Sequence, residues 1–367
     1  MRIGITGSEG LIGWHLRSFL HGKEGVEVLP ADRATFATGE ALRAFVRRCD
    51  AIVHLAGRMR GDDDEVYNTN VSLVEQLIQA CETEGVAPHV VFSSSTHVSR
   101  DTPYGRSKRV GAELFSRWAA RSGGSFTNLI LPNVFGEGGK PFYNSCISTF
   151  CFQLANAQKP TIIQDSTLEL VHAQEVARRI HAILQDRTAP ETIVPGVKML
   201  VSELLSRLMS FESLYKDFII PDLRERTNAF LFNTYRSYLF PSAYPMTPTL
   251  HSDPRGHLYE AVKTVNGGQA FFSTTHPGIT RGNHYHLRKF ERFCVVQGEA
   301  VIRVRKLFSP HVHEFHLSGD TPQFVDIPTL HAHEITNTGA GNLLTAFWTG
   351  ELYDKADPDT FAEKVRL

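Results

Sequence analysis

Thr6-Gly7-Ser8-Glu9-Gly10-Leu11-Ile12-Gly13 is the stretch on which the fold of the N-terminal half turns. Ile3-Gly4-Ile5 before it reads as a strand, and Trp14-His15-Leu16 after it opens a helix. A strand, a glycine turn and a helix in this order are what a phosphate-binding loop needs. Gly7 permits the tight turn, Gly10 lets the backbone approach a pyrophosphate, and Gly13 allows the helix to pack closely on the strand, with Leu11 and Ile12 completing the loop. Asp32 follows about 20 residues later, where an acid hydrogen-bonds the ribose 2'-hydroxyl of NAD, while Arg33 beside it suits the 2'-phosphate of NADP. NADPH and NADH both stay open on this pair.

Downstream of the turn, short apolar runs at Val26-Glu27-Val28-Leu29, Ala51-Ile52-Val53-His54-Leu55, Val90-Val91-Phe92 and Asn128-Leu129-Ile130-Leu131 alternate with segments of helical periodicity. That alternation predicts an α/β, Rossmann-like, doubly wound parallel sheet. From Val201 to Leu239 the pattern is helical, and Pro241 and Pro245 break it. Beyond the break, Gln269-Ala270-Phe271-Phe272-Ser273 and Ala300-Val301-Ile302-Arg303-Val304 read as strands separated by turns, as in an all-β barrel. Two domains are expected, residues 1–243 and 246–367.

The balance of 38 basic and 39 acidic residues, net charge -1, gives no drive toward nucleic acid or an anionic membrane surface. Cys49, Cys81, Cys146, Cys151 and Cys294 are odd in number and fit neither a metal C-x-x-C nor a secreted disulfide framework. Met1 runs directly into the glycine turn without an export leader, and no apolar run approaches the roughly 20 residues of a membrane span. A soluble cytoplasmic protein is expected.

Tyr104 and Lys108 lie four apart, on one face of a helix, so one site can hold both, and the lysine charge is expected to lower the phenol's pKa. About ten residues before Tyr104, Ser93-Ser94-Ser95 closes a strand. Ser95 is read as the substrate-carbonyl donor, with Ser94 the neighbouring alternative, Tyr104 as the acid and Lys108 as its partner and a cofactor-ribose ligand. In the C-terminal half, which holds ten of the 17 histidines, His284-Tyr285-His286 puts two imidazoles on one side of a strand. Glu291 follows and His333 arrives from a distant strand. Such a set suits zinc, iron, manganese or nickel, with zinc the working assignment. It would serve equally as a structural ion in a domain of about 120 residues. His311, His313, His316 and His331 are read as exposed or structural.

The glycine turn, Asp50 before Ile52-Val53-His54-Leu55-Ala56-Gly57, Asn70, the serine run, Tyr104 with Lys108, and Leu131-Pro132-Asn133-Val134-Phe135-Gly136 together resemble the extended short-chain dehydrogenase/reductase family. The resemblance implies cofactor contacts from Leu55, Ala56, Gly57, Asn70 and Val134, and a nucleotide-sugar contact from Asn133. Two places depart from the pattern: Ile130 precedes Leu131-Pro132-Asn133 where many members carry arginine, and Val171-His172-Ala173-Gln174-Glu175 replaces the usual V-D-D. The histidine set, with Gly278 to Asn283 before it, Gly298 after it, and Pro328, His333 and Asn337 further on, resembles the cupins, although Leu330 stands where a cupin has glycine.

Both halves together resemble a family of bifunctional enzymes of bacterial capsule and O-antigen synthesis, most of all in 131–136, in 140–145 with Lys140 as a substrate contact, and in Pro358-Asp359-Thr360-Phe361. By that resemblance the barrel epimerises C3 of a UDP-linked 4-keto-6-deoxy-N-acetylhexosamine. The dehydrogenase half then reduces the C4 ketone with NADPH to UDP-2-acetamido-2,6-dideoxy-L-talose, and the chain is expected to form a homodimer. His286 and Glu291 are candidate epimerase bases only where no metal occupies them. The competing expectations are a redox-neutral, NAD-dependent nucleotide-sugar epimerase or dehydratase, and a non-catalytic sugar-nucleotide sensor or scaffold.

Overall fold

The computed structural model describes residues 1–186 and 190–367, which divide into two units, Met1–Cys146 with Gln164–Val201, and Ile147–Ile163 with Ser202–Leu367. In the first, strands β1 (Arg2–Thr6), β2 (Glu27–Ala31), β3 (Ala51–His54), β4 (His89–Ser95) and β5 (Phe126–Leu131) alternate with helices α1 (Leu11–His21), α2 (Gly39–Val46), α3 (Asp63–Glu84) and α4 (Pro103–Ser122). There follow β6 (Asn133–Phe135), β7 (Thr167–His172), α6 (Ala173–Asp186), β8 (Glu191–Ile193) and β9 (Val197–Leu200), while α5 (Cys146–Ala155), between β6 and β7 in the chain, belongs from Ile147 on to the second unit. The main sheet runs β2-β1-β3-β4-β5-β8 with every pairing parallel, as the alternating pattern predicts.

Ile3, Ile5, Ile52, Val53, Val90 and Val91 are fully buried, because helices cover both faces of a parallel sheet. Right-handed crossovers put α1, between β1 and β2, on the face opposite α3, between β3 and β4. Leu42, Phe45, Leu77, Ile78, Phe115 and Trp118 from α2, α3 and α4 form the core on the α3 side. Strand order reverses between β1 and β3, which opens a crevice beyond their carboxyl ends, the position where such sheets bind ligands.

The second unit takes α5, then α7 (Val201–Lys216), β10 (Ile219–Ile220) and α8 (Arg226–Ser237), and continues as strands. β11 (His251–Asp253) and β12 (Gly256–Leu258) make a hairpin, and β13 (Lys263–Thr264) pairs with β10. Two antiparallel sheets follow. One contains β14 (Gln269–Thr275), β16 (Glu291–Gln297), β19 (Phe324–Ile327) and β21 (Leu343–Thr349). The other contains β15 (Thr280–Tyr285), β17 (Glu299–Lys306), β18 (Val312–Ser318), β20 (His331–Asn337) and β22 (Phe361–Ala362).

Phe293, Val295, Ile302, Val304, Phe315, Ile335 and Phe347 fill the space between the sheets, with Phe240 and Tyr244 packed on the same cluster. The cut expected between 243 and 246 therefore falls inside this unit. Tyr215 of α7 hydrogen-bonds both Tyr244 and Asp326 of β19, and this tethers the helices to the strands. No helix among the described residues is long and apolar enough to cross a membrane.

Candidate functional site

The glycine turn lies at the crevice and its three glycines have distinct reasons. Gly7 has φ +67, and a Cβ there would sit 2.8 Å from the Ala56 amide nitrogen. A Cβ on Gly13 would meet the Gly7 carbonyl oxygen at 2.3 Å, so only glycine lets α1 start this close to the turn. Gly10 is the N-cap of α1, with no side-chain cap and no acidic residue in the first turn, which leaves the first N–H groups and the positive end of the helix for an anion. Thr6 binds the two loops together: its hydroxyl accepts from the Ala56 amide at 3.1 Å and contacts His54 Nδ1 at 2.9 Å. Burial pulls His54 down to about 3, with Lys108 adding to the effect, so its ring is neutral.

Leu55, Ala56 and Gly57 follow β3 on the other side of the crevice. Asn70 uses its amide within the protein, accepting from the Arg58 amide at 2.6 Å and donating to the Arg58 carbonyl and Ser107. It braces the cofactor loop from behind. Asp32 and Arg33 are exposed just past β2, with the Asp32 carboxylate held below its usual range by bonds from the Thr35 amide and hydroxyl. Asp50 forms an ion pair with Arg2.

Thr102 caps α4 through the Gly105 amide, and Pro103 takes the first turn, where its missing N–H costs nothing. This start fixes Tyr104 in the first turn and Lys108 one turn on, with the Lys108 ammonium 5.7 Å from the centre of the Tyr104 ring. Lys108 Nζ donates to the Ser93 carbonyl at 2.7 Å, which joins α4 to the end of β4. Ser95, at the strand end, is half-buried; Ser94 buries a hydroxyl that has no hydrogen-bond partner among the described residues.

The expectation that Lys108 lowers the Tyr104 pKa is corrected here. Burial pushes the phenol up to about 12, Tyr143 adds to the rise, and burial pulls the Lys108 ammonium down to about 8. Lys108 directs its proton at Ser93, and in a dry site the loss of hydration outweighs its charge.

Val134 lies half-buried on β6, and Asn133 beside it gives its amide to the Glu169 carbonyl at 3.0 Å, a bond that ties β6 to β7. Lys140 is exposed, over the Tyr143 ring. One buried cluster was missed from the sequence: His15 of α1, Glu137 after β6 and His172 of β7. His172 Nε2 meets the Glu137 carboxylate at 2.9 Å, and His15 Nε2 meets the Glu137 backbone carbonyl at 2.9 Å. The Gln174 amide donates to His172 Nδ1, so that ring carries its proton on Nε2, and His15 must likewise donate to a carbonyl. Nitrogens bearing protons do not ligate a cation, so this is a hydrogen-bonded tie at the root of the 136–144 loop. Burial alone would raise Glu137, but the two imidazoles pull it down to about 2. The replaced V-D-D run was the available signal, since His172 sits in it.

In the second unit the four expected ligands do converge. His284 on β15 faces His333 on β20 in direct register, Glu291 opens β16, and His286 lies one residue past the end of β15 rather than on it. Glu291 Oε2 is 3.3 Å from both His286 Nε2 and His333 Nε2 and 4.0 Å from His284 Nε2. The far nitrogens are fixed from outside: His286 Nδ1 meets the Asp359 carbonyl at 2.6 Å and His333 Nδ1 meets the His331 carbonyl at 3.2 Å. Each Nε2 is thereby turned inward as an acceptor, buried and facing the Glu291 carboxylate with no hydrogen-bond donor to it among the described residues. Burial would raise Glu291, but the three imidazoles hold it well below its usual range, and burial pulls His333 down to about 4, a neutral ring ready to ligate.

Leu330, in the place of the expected glycine, adopts φ 61 while fully buried. Its amide donates to the His286 carbonyl at 2.8 Å, and its burial offsets the strain. Of the remaining histidines, His311 and His316 are exposed and His331 is buried against the Thr329 carbonyl.

Residues 3–196 match the model of the NAD dependent epimerase/dehydratase family, and residues 251–361 that of the polysaccharide biosynthesis C-terminal domain. Over 371 positions the chain is 32% identical to the UDP-2-acetamido-2,6-beta-L-arabino-hexul-4-ose reductase of Pseudomonas aeruginosa, covering 100% of this chain and 99% of that one. Among solved structures, the capsular polysaccharide assembling protein CapF of Staphylococcus aureus aligns over 100% of both chains with 31% identity and a TM-score of 0.65. RMD from Pseudomonas aeruginosa, solved with NADPH, shares the fold of the first unit, with 21% identity, 58% of this chain, 84% of that chain and a TM-score of 0.53.

Proposed function

The chain belongs to the NAD dependent epimerase/dehydratase family, and we propose that it reduces the C4 ketone of a UDP-linked 4-keto-6-deoxy-N-acetylhexosamine after its second unit, a cupin, has epimerised C3. It is a nucleotide-sugar enzyme of the reductase kind. The observation that carries the reading is the placement of Tyr104 and Lys108 on one helical face, joined to the end of β4 through Ser93, together with a glycine turn whose Gly7 and Gly13 leave no room for a Cβ.

The turn suits the pyrophosphate of NADPH, with Gly7, Gly10, Leu11 and Ile12 against it and Leu55, Ala56, Gly57 and Val134 along the crevice. When bound, NADPH supplies the hydride that C4 receives. Ser95 holds the ketone oxygen, and Tyr104 gives that oxygen its proton, so the carbonyl becomes a hydroxyl. A phenol kept protonated by burial suits this direction.

Lys108 is read as the ligand of the cofactor's ribose. NADPH affinity is therefore expected to fall as pH rises through about 8, where the ammonium loses its proton. Fluorescence titration between pH 6.5 and 9.5 checks this, and an equally steep fall in Lys108→Met would remove the assignment.

His284, His286, Glu291 and His333 fit one divalent ion, with zinc the first choice, since two buried imidazole nitrogens have no other partner. Such an ion would stabilise the oxygen charge that develops when the C3 proton leaves. About one equivalent of metal per chain is expected by mass spectrometry of the purified protein, and less than a tenth of that in His333→Gln. Absence of metal after zinc supplementation and dialysis would remove the centre.

A further inference from the structure

Two loops of the first unit meet near Tyr104, and the reading above uses them only at Leu55, Ala56 and Gly57 and, as an expected substrate contact, at Lys140. The loop after β3 carries Arg58, Met59 and Arg60; the loop after β6 carries Lys140, Phe142, Tyr143 and Asn144. They touch where the Asn144 amide lies on the Met59 sulfur and where Arg60 covers the Tyr143 ring, 5.8 Å from its centre. Lys140 stands over that same ring at 5.5 Å. The loop after β3 also reaches the helix that carries Tyr104, since a Cβ on Gly57 would lie 3.8 Å from Lys108 Nζ.

Arg58 pairs with Glu65 and Arg106 with Asp101, whereas Arg60 and Lys140, both exposed, make no ion pair among the described residues. Two like charges over one aromatic ring repel each other, and an arrangement that keeps them there without a carboxylate suits an anion that arrives with a ligand. The backbone points the same way. Phe142 is 59% exposed yet adopts φ 56, a strained conformation for an aromatic residue that no burial of its own offsets. The root of the loop is pinned by Glu137 to His172 and His15.

We propose that Arg60 and Lys140, both standing over the Tyr143 ring, form an anion subsite beside Tyr104 that takes the diphosphate of the sugar nucleotide. It rests on the nucleotide-sugar reading given above. The cofactor's own pyrophosphate is already provided for at the start of α1. Guanidinium, ammonium and phenol together supply donors to several phosphate oxygens, and the guanidinium fork suits two at once.

Calorimetry on the full chain tests this with UDP, GDP, uridine and NADPH as probes, against wild type, Arg60→Gln, Lys140→Gln and the double variant. Each single change is expected to weaken UDP binding about ten-fold, as for the loss of one charged hydrogen bond. Uridine and NADPH affinities are expected to stay as in wild type, which also reports that the variants fold. UDP affinity unchanged in the double variant, or NADPH weakened as much as UDP, overturns the subsite and leaves the reductase reading in place. GDP bound as tightly as UDP and equally dependent on Arg60 and Lys140 supports the subsite and removes uridine from the proposed substrate. Failure of wild type to bind either diphosphate overturns both.

Discussion

Tyr104→Phe is expected to slow reduction of the ketosugar about 10²- to 10⁴-fold, the usual contribution of a positioned acid, while NADPH binds as before. The loss follows from one oxygen atom. The phenol is half-buried and desolvation raises its pKa, so it is protonated at neutral pH, while Lys108 donates to the Ser93 carbonyl. Water does not easily replace the hydroxyl, because the phenylalanine ring still fills the space beneath it. The informative comparison is single-turnover NADPH oxidation in wild type and variant at matched cofactor saturation. A full rate in Tyr104→Phe would take the acid role away from this residue, and a collapse of NADPH affinity would make Tyr104 a cofactor ligand first.

Asp326→Ala is expected to destabilise the second unit by about 3–5 kcal/mol, the range for a buried ion pair that loses one partner. Asp326 is wholly buried, takes two bonds from Arg292 at 2.7 and 3.0 Å, and accepts the Tyr215 hydroxyl. Removing it strands the Arg292 guanidinium, itself 1% exposed, in an apolar interior. Burial would raise the carboxyl, yet the Arg292 charge holds it below its ordinary value. The contribution is accordingly present above the unfolded value of about 3.9 and is lost as pH falls through the lower folded value. Urea unfolding at pH 7 gives the size of the effect, and a change under about 1 kcal/mol would mean that the tether between α7, Tyr244 and β19 carries little.

How much of this was legible depends on sequence distance. The glycine turn, the parallel strands and the Tyr104 and Lys108 pair are local patterns, and a strand, a turn or one helical face is enough to express them. The histidine and carboxylate cluster was legible because His284 and His286 flag the place and His333 lies directly across the sheet from His284. Leu330 looked like a departure from the cupin pattern, and the left-handed backbone it adopts is the one the missing glycine would have taken.

What was not legible depends on long separations or on burial. The Glu137 tie brings together residues 122 and 35 positions apart. The helices between 202 and 243 join the strands of the second unit through Tyr215 and Asp326, 111 positions apart, a contact that no local pattern announces. The Tyr104 pKa went the opposite way to expectation because spacing reports which charges are near and not how much water is excluded.

The most direct test is a coupled assay in deuterated water, with NADPH absorbance followed at 340 nm against UDP-4-keto-6-deoxy-N-acetylhexosamine and the product examined by mass spectrometry and NMR. The account predicts oxidation of one NADPH per sugar and one deuterium retained at the inverted carbon, because the base at C3 exchanges with solvent before reduction fixes the product. Inversion of the sugar with no loss of absorbance would contradict it and make the chain a redox-neutral epimerase, and no change in cofactor or sugar would leave it a binding protein.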